Sequence, residues 1–225
     1  MSVQIGNTTF ESAEDFPSSV PIFPLSGALL LPKGQMPLNI FEPRYLSMID
    51  AAMAGDRLIG MIQPALDDSG DGSPNALCAS GCLGRIVAWS ESGDGRYLIT
   101  LMGVARFQME QELTTMTPYR QARISVLPFL GDIDGEMAEL EVDRDELLAT
   151  FRDYLDANDM EADWDSINEA STESLVNALS MMSPYGPAEK QALLEAPDLK
   201  TRAETLIAIT EMELARGDDG TSPLQ

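Results

Sequence analysis

Residues 21–55, PIFPLSGALLLPKGQMPLNIFEPRYLSMIDAAMAG, constrain the fold more than any other stretch. An apolar run is followed by a Pro-Lys-Gly turn, a second short apolar run and then an abrupt change of period. Tyr45, Met48, Ile49, Ala52 and Met53 recur at i, i+3, i+4, i+7 and i+8, with Pro43 in the first turn and Gly55 at the stop. That spacing predicts an amphipathic helix over 43–54, and the run Ile22 to Leu31 reads as a strand apolar on both faces. Two strands feeding one helix make a core, and the rest of the chain is expected to build on it.

Further strands are expected over 57–63, 83–89, 96–107 and 121–127, and a short one over 3–5. Ser92-Gly93-Asp94-Gly95 joins two of them as a hairpin signal, because the Asp-Gly pair accepts positive φ. Ala122, Ile124 and Val126 alternate with Gln121, Arg123 and Ser125, which gives that strand one buried face. Beyond residue 130 the texture becomes helical. Leu140, Leu147, Leu148, Phe151, Tyr154 and Leu155 form a stripe predicting a helix over 137–156. A second is expected over 164–182, kinked or restarted at Ser171-Thr172-Glu173, a third from Pro187 to Ala196, and a fourth capped by Asp198 and running to Arg216. The resulting division is a polar leader (1–20), a β-rich unit (21–130), a helical bundle (131–216) and a frayed tail (217–225).

Charge follows the same division. Of 37 acidic and 14 basic residues, giving a formal charge of −23, residues 1–131 carry 13 and 8 while residues 132–225 carry 24 and 6. Such a surface repels phosphate backbones and offers no basic stripe, so nucleic acid is disfavoured as a partner. The N-terminal residues lack the basic-then-apolar pattern of a secretory signal, and the longest uncharged run contains four prolines, so a membrane role is not expected and a cytoplasmic location is.

The search for chemistry is short because the chain contains no histidine. Ser-His-Asp and Cys-His nucleophiles, HExxH zinc sites and imidazole acid–base work are removed together. Of the three lysines, Lys33 lies in the Pro-Lys-Gly turn and Lys190 and Lys200 are expected on charged helix faces, so none is placed to serve as a base. Cys78 and Cys82 cannot close a tetrahedral zinc site without histidine unless a carboxylate or a second protomer completes it, have the wrong spacing for a Cys-x-x-Cys redox pair, and are read as structural thiols. Asp67-Asp68-Ser69-Gly70-Asp71-Gly72 imitates a calcium loop, but position twelve is Cys78 where a glutamate is required. Neither GxxxxGK[ST] nor GxGxxG is present, and no cofactor or metal is predicted. What remains is binding surface: Phe41, Arg44 and Tyr45 at the helix entry, and Met36, Met61 and Met102 among 13 methionines that suit an adaptable apolar groove. The plainer readings, charge placement at a helix N-terminus for the first group and core filling for the second, stand beside it.

Phe23-Pro24-Leu25, Leu31-Pro32, Gly34, Pro37-Leu38, Ile40-Phe41-Glu42 and Arg44-Tyr45 occur in the order seen at the start of the Lon protease N-terminal, substrate-binding domain. Leu83-Gly84-Arg85-Ile86, Asp94-Gly95-Arg96-Tyr97 and Gly103-Val104-Ala105-Arg106-Phe107 resemble its later strands. This resemblance covers roughly residues 21–216 and implies an α+β fold: a β-rich, PUA-like pseudo-barrel with one embedded helix, followed by a C-terminal helical bundle. It further implies a free-standing, non-catalytic module, since nine residues after Arg216 hold neither an ATPase nor a Ser-Lys peptidase domain. The expected partners are unfolded or apolar polypeptide segments, together with a protease or chaperone. The competing expectation is a small-molecule or enzymatic pocket between barrel and bundle. Fold analogy with RNA-binding PUA domains is opposed by the acidic charge.

Overall fold

The structure, a computed structural model, describes residues 2–65, 75–134 and 142–219. Eight strands are present among them: β1 (Val3–Ile5), β2 (Thr8–Phe10), β3 (Ser19–Pro24), β4 (Gln35–Ile40), β5 (Leu58–Pro64), β6 (Leu77–Glu91), β7 (Tyr97–Leu113) and β8 (Gln121–Ser125). The helices are α1 (Pro43–Ala54), α2 (Gly131–Asp134), α3 (Arg144–Ala157), α4 (Trp164–Glu169), α5 (Thr172–Met182), α6 (Pro187–Glu195) and α7 (Leu199–Asp219).

The main sheet runs β4-β7-β6-β5-β3-β8, and β8 pairs back onto β7, so five strands close into a barrel with β4 as an outer sixth. Only β3 and β5 are parallel; the others are antiparallel. Strand β7 is 17 residues long and serves both ends of the closure. Its register shifts against β6 and β8 supply the bends a closed sheet needs.

Two apolar clusters follow the alternation of the strands. Val20, Ile22, Leu58, Ile62, Leu83, Phe107, Ala122 and Ile124 pack inside the barrel, joined by Ile5, Phe10 and Phe16 of the leader, where Phe10 and Phe16 stack at 4.8 Å. The opposite face, with Phe23, Ile59, Met61, Cys82 and Leu101, packs against Met48 and Ile49 of α1 and Leu175, Leu193 and Leu206 of the bundle. Barrel and bundle therefore share a core. The leader, by the same token, is anchored and not merely polar.

Three glycines mark close approaches. A Cβ on Gly81 would strike the Met61 carbonyl and the Phe107 ring, and one on Gly103 would overlap the Leu31 carbonyl. Gly60 lies against the same Phe107 ring.

Helix α1 has the predicted bounds and buries Tyr45, Met48, Ile49 and Ala52. Ser171 caps α5 and separates it from α4, so the predicted second helix is two. Asp198 accepts from the Thr201 N–H at 2.7 Å at the start of α7. Some expectations are corrected. The strand predicted over 22–31 ends at Pro24, and Leu29, Leu30 and Leu31 are buried in a loop that Gly27 (φ +71°) and Lys33 (φ +64°) turn. Helix α3 begins at Arg144, capped by Asp143; Leu140 and the rest of the predicted start lie outside the described residues, as does Asp67–Gly72. Helix α7 runs past Gly217 to Asp219, since one glycine in a last turn does not stop a helix packed elsewhere.

A buried polar cluster fastens the two parts. Arg106 of β7 pairs with Asp132 of α2 at 2.8 Å and donates to the Leu194 carbonyl at 3.0 Å and to that of Ala196, at the end of α6. Arg202 of α7 donates to the Leu193 carbonyl and to Asn177 Oδ1, both at 3.0 Å. Asn177 in turn donates to the Pro32 carbonyl at 3.2 Å.

Candidate polypeptide-binding surface

Beyond the barrel mouth, β6 and β7 continue as a hairpin with β4 along its outer side, so three strands project as a ribbon. The cross-strand rows are Gln35–Met102–Arg85, Pro37–Thr100–Ala88 and Asn39–Leu98–Ser90. Residues of one row share a sheet face. Within the barrel that face is interior; on the ribbon it meets solvent. The consequence is an apolar strand surface with nothing over it: Leu98 is 50% exposed, and Pro37, Ala88 and Val87 are exposed beside it. A groove of about 580 Å³ runs here between Pro37–Asn39, Ala88–Ser90 and Leu98–Thr100.

The other face of the ribbon carries Trp89, 44% exposed, edge-on to Tyr97 at 5.3 Å. The Tyr97 hydroxyl donates to Asp50 at 3.0 Å, and that bond to a carboxylate holds its pKa above the ordinary phenol value. Phe41, at the junction of β4 and α1, is 61% exposed, with the Arg96 guanidinium 5.9 Å from its ring centre. The ribbon thus combines aromatic, aliphatic and cationic contacts.

The residues predicted from sequence divide here. Phe41 is on this surface. Met102 is half-buried in the Gln35–Met102–Arg85 row, on the groove's face but packed toward the barrel interior. Met36 packs half-buried against the other cluster, on the face opposite Pro37. Met61 is 4% exposed and fills core. Tyr45 is buried, its ring 4.2 Å from Phe23, and burial raises its phenol pKa. Arg44 pairs with Glu42 at 2.8 Å and covers the Tyr45 ring at 4.5 Å. Met61 is therefore core, whereas Tyr45, though buried, lines a pocket with Pro24, Arg44 and Arg120. Val87, Trp89 and Leu98 carry no sequence signal of exposure; an apolar residue in a strand reads as core until its register is known.

At the barrel–bundle junction a smaller cleft of about 220 Å³ is lined by Pro32, Lys33, Glu173, Asn177, Met181 and Met182. Lys33 is ion-paired there with Glu173 at 2.6 Å. Lys190 differs from expectation: it is buried, not on a charged face, and burial pushes its ammonium down. It donates to the Met181 carbonyl at 3.3 Å, and no serine hydroxyl bonds to it among the described residues. Hydrogen bonds hold the carboxyls of Asp15, Asp94, Glu112, Asp163 and Asp198 below the ordinary carboxylate range, the opposite of what a general acid needs. Cys78 and Cys82 are free thiols raised by burial. Among the described residues no group of three or more metal-binding side chains occurs, and no helix is long and apolar enough to cross a membrane.

A closed five-strand barrel with one added strand, an embedded helix and a packed helical bundle defines the class of fold. The family model of the ATP-dependent protease La (LON) substrate-binding domain matches residues 19–211, and the chain belongs to that family. Lon protease 2 of Myxococcus xanthus is 27% identical over 87% of the chain, and Lon protease of Parabacteroides distasonis 30% over 90%. The chain spans about a quarter of the length of these curated relatives, 24% and 25% respectively. Among solved structures, the Lon N-terminal domain protein from Xanthomonas campestris superimposes with a TM-score of 0.60 at 21% identity, over 85% of this chain and 98% of that one. The N-terminal domain of Mycobacterium avium complex Lon protease gives 0.59 at 18% identity, over 86% and 98%.

Proposed function

We propose that this chain is a non-catalytic module that holds unfolded or apolar polypeptide segments, working beside a protease or chaperone and not cutting them itself. The observation that carries the reading is the uncovered apolar ribbon around Leu98, Val87, Trp89 and Phe41. In a chain of charge −23, side chains of this type exposed on both faces of one projecting ribbon fit a contact surface. Membership of a substrate-binding family agrees with it, and the unpaired thiols suit a reducing, cytoplasmic setting.

The extended geometry fits extended ligands. Outer strand β4 lies at the sheet edge, but Pro37 at its centre removes one backbone donor, so side-chain contact on the face outweighs strand addition at the edge. Immobilised protein should retain a permanently unfolded model polypeptide, release it to short apolar peptides and ignore the same polypeptide's folded counterpart. Failure to retain any unfolded chain, with a metabolite raising the melting temperature instead, would favour the small junction cleft and a small-molecule role.

A further inference from the structure

At the barrel mouth, beside the ribbon, lies a further pocket of about 310 Å³, lined by Asn7 and Thr8 of the leader hairpin, Asp15, Asp56, Arg57 and Arg85. Arg85 is buried, donating from Nη1 to the Asp56 carbonyl and from Nη2 to Asn7 Oδ1, both at 2.8 Å. Its guanidinium has five N–H groups, so part of its donor capacity is unspent. Arg57 is exposed and has neither an ion pair nor a side-chain hydrogen bond among the described residues. Its backbone is left-handed, at φ +60°, a conformation that costs a non-glycine residue about 1–3 kcal/mol.

The arrangement is unusual in so acidic a chain. Two arginines share one pocket, two aspartates line it, and no ion pair forms between them. Asp15 is committed elsewhere, accepting from the Glu11 and Ser12 N–H groups at 2.8 Å to cap its own turn. Arg85 is held below the ordinary guanidinium value, first by burial and then by the neighbouring charge of Arg57, with the charge of Asp56 opposing both. Like charges kept together with no ion pair to the aspartates beside them are set up for an external anion.

Position narrows the choice of anion. Arg85 stands in the row Gln35–Met102–Arg85, on the same sheet face as Pro37–Thr100–Ala88 and Asn39–Leu98–Ser90. From Leu98 to Met102 is four residues along β7, about 13 Å, the span of about four residues of extended chain. Resting on the polypeptide-holding reading above, we infer that the Arg57–Arg85 pocket binds the terminal carboxylate of an extended polypeptide whose preceding residues lie on the ribbon. The pocket then selects chain ends over internal segments, and Arg57 is its accessible donor.

The test uses one apolar decapeptide as free acid and as C-terminal amide, titrated by fluorescence anisotropy into the whole chain and into Arg57→Asn. Asparagine accepts left-handed φ, so the variant keeps its turn, and an unchanged melting temperature verifies this. The free acid should bind about tenfold tighter than the amide, with the gap closing in Arg57→Asn and narrowing with salt. Equal binding of acid and amide to the unsubstituted protein would overturn the carboxylate site while leaving the polypeptide-holding reading intact. So would a gap that survives in Arg57→Asn. Binding of neither peptide would sink both. Inorganic phosphate that stabilises the protein more than acetate does would assign the pocket to phosphate and overturn the proposal.

Discussion

Arg106 and Arg202 grip the same helix end from two different elements. One reaches the Leu194 and Ala196 carbonyls from the barrel, the other the Leu193 carbonyl from α7, so the C-terminus of α6 is held by two buried guanidiniums. Positive charge is favourable at a helix C-terminus, where carbonyls lack intrahelical partners. Their situations differ. Arg106 has the buried Asp132 as counter-ion, whereas Arg202 is fully buried, with no partner for Nη2 among the described residues and its pKa pushed down to about 10. Burial is the main cause, and the charge of Arg106 adds to it.

This asymmetry predicts unequal mutants. Arg106→Met strands Asp132 in the interior and should cost about 3–5 kcal/mol by urea denaturation. Adding Asp132→Asn should recover a substantial part. Arg202→Met removes an orphaned donor along with two bonds and should cost less, about 1–3 kcal/mol. A larger loss for Arg202→Met than for Arg106→Met would mean that the pairing with Asp132 is not what fastens barrel to bundle.

Close backbone approach gives the second prediction. Gly103→Ala and Gly81→Ala meet the Leu31 and Met61 carbonyls, atoms with no room to yield, and each should cost about 1–3 kcal/mol or more. Gly34→Ala meets chiefly the end of the flexible Met181 side chain, with the Leu31 carbonyl farther off at 3.0 Å, and should be milder. Gly93→Ala, at the hairpin tip with open space around it, should stay within about 0.5 kcal/mol. Chemical denaturation of the four variants orders them directly.

How far the chain could be read from its letters depends on what each element competes with. Helix α1 was legible because its period, Pro43 and Gly55 all agree. Leu29–Leu31 were not, since an apolar run says that it is buried but not whether it pairs. Leu98 and Trp89 were hidden for a related reason. The bulge at Val87 and the projection of the hairpin past the barrel decide which face is wet, and neither has a local signature. Lys190 reads as a surface lysine because lysine is seldom buried without a partner; its burial comes from packing of the bundle. Arg57 and Arg85, 28 residues apart, meet only through the pairing of β5 with β6.

Acid should destabilise the fold partly through helix caps. The Thr201 N–H holds the Asp198 carboxyl below the ordinary aspartate value, so the folded state binds its proton less readily than the unfolded chain. The contribution is therefore present above about pH 3.9 and is lost as pH falls through the folded value. Asp198→Asn keeps an oxygen for the cap without the titration, and its stability should fall less steeply than the unsubstituted protein's below pH 4. Asp198→Ala should cost about 1 kcal/mol at neutral pH. Parallel slopes for Asp198→Asn and the unsubstituted chain would remove Asp198 from the acid response.

The ribbon makes the last prediction, because exposure separates binding from stability. Leu98 and Trp89 are half out of the protein, so polar replacement forfeits little packing and Leu98→Asp should change the unfolding free energy by less than about 1 kcal/mol. An unfolded polypeptide that lies along the strand face would lose an apolar contact and meet a desolvated charge, and its affinity should drop at least about tenfold. Thr100→Val, in the neighbouring row on the same face, extends the apolar surface and should move affinity the other way. Met61→Leu, deep in the core, should leave binding unaltered while shifting stability by less than about 1.5 kcal/mol. Unfolding and polypeptide titration on the same three variants resolve the matter: if affinity follows stability across them, the ribbon is only a part of the scaffold, and if affinity follows the exposed residues alone, the groove is where the polypeptide lies.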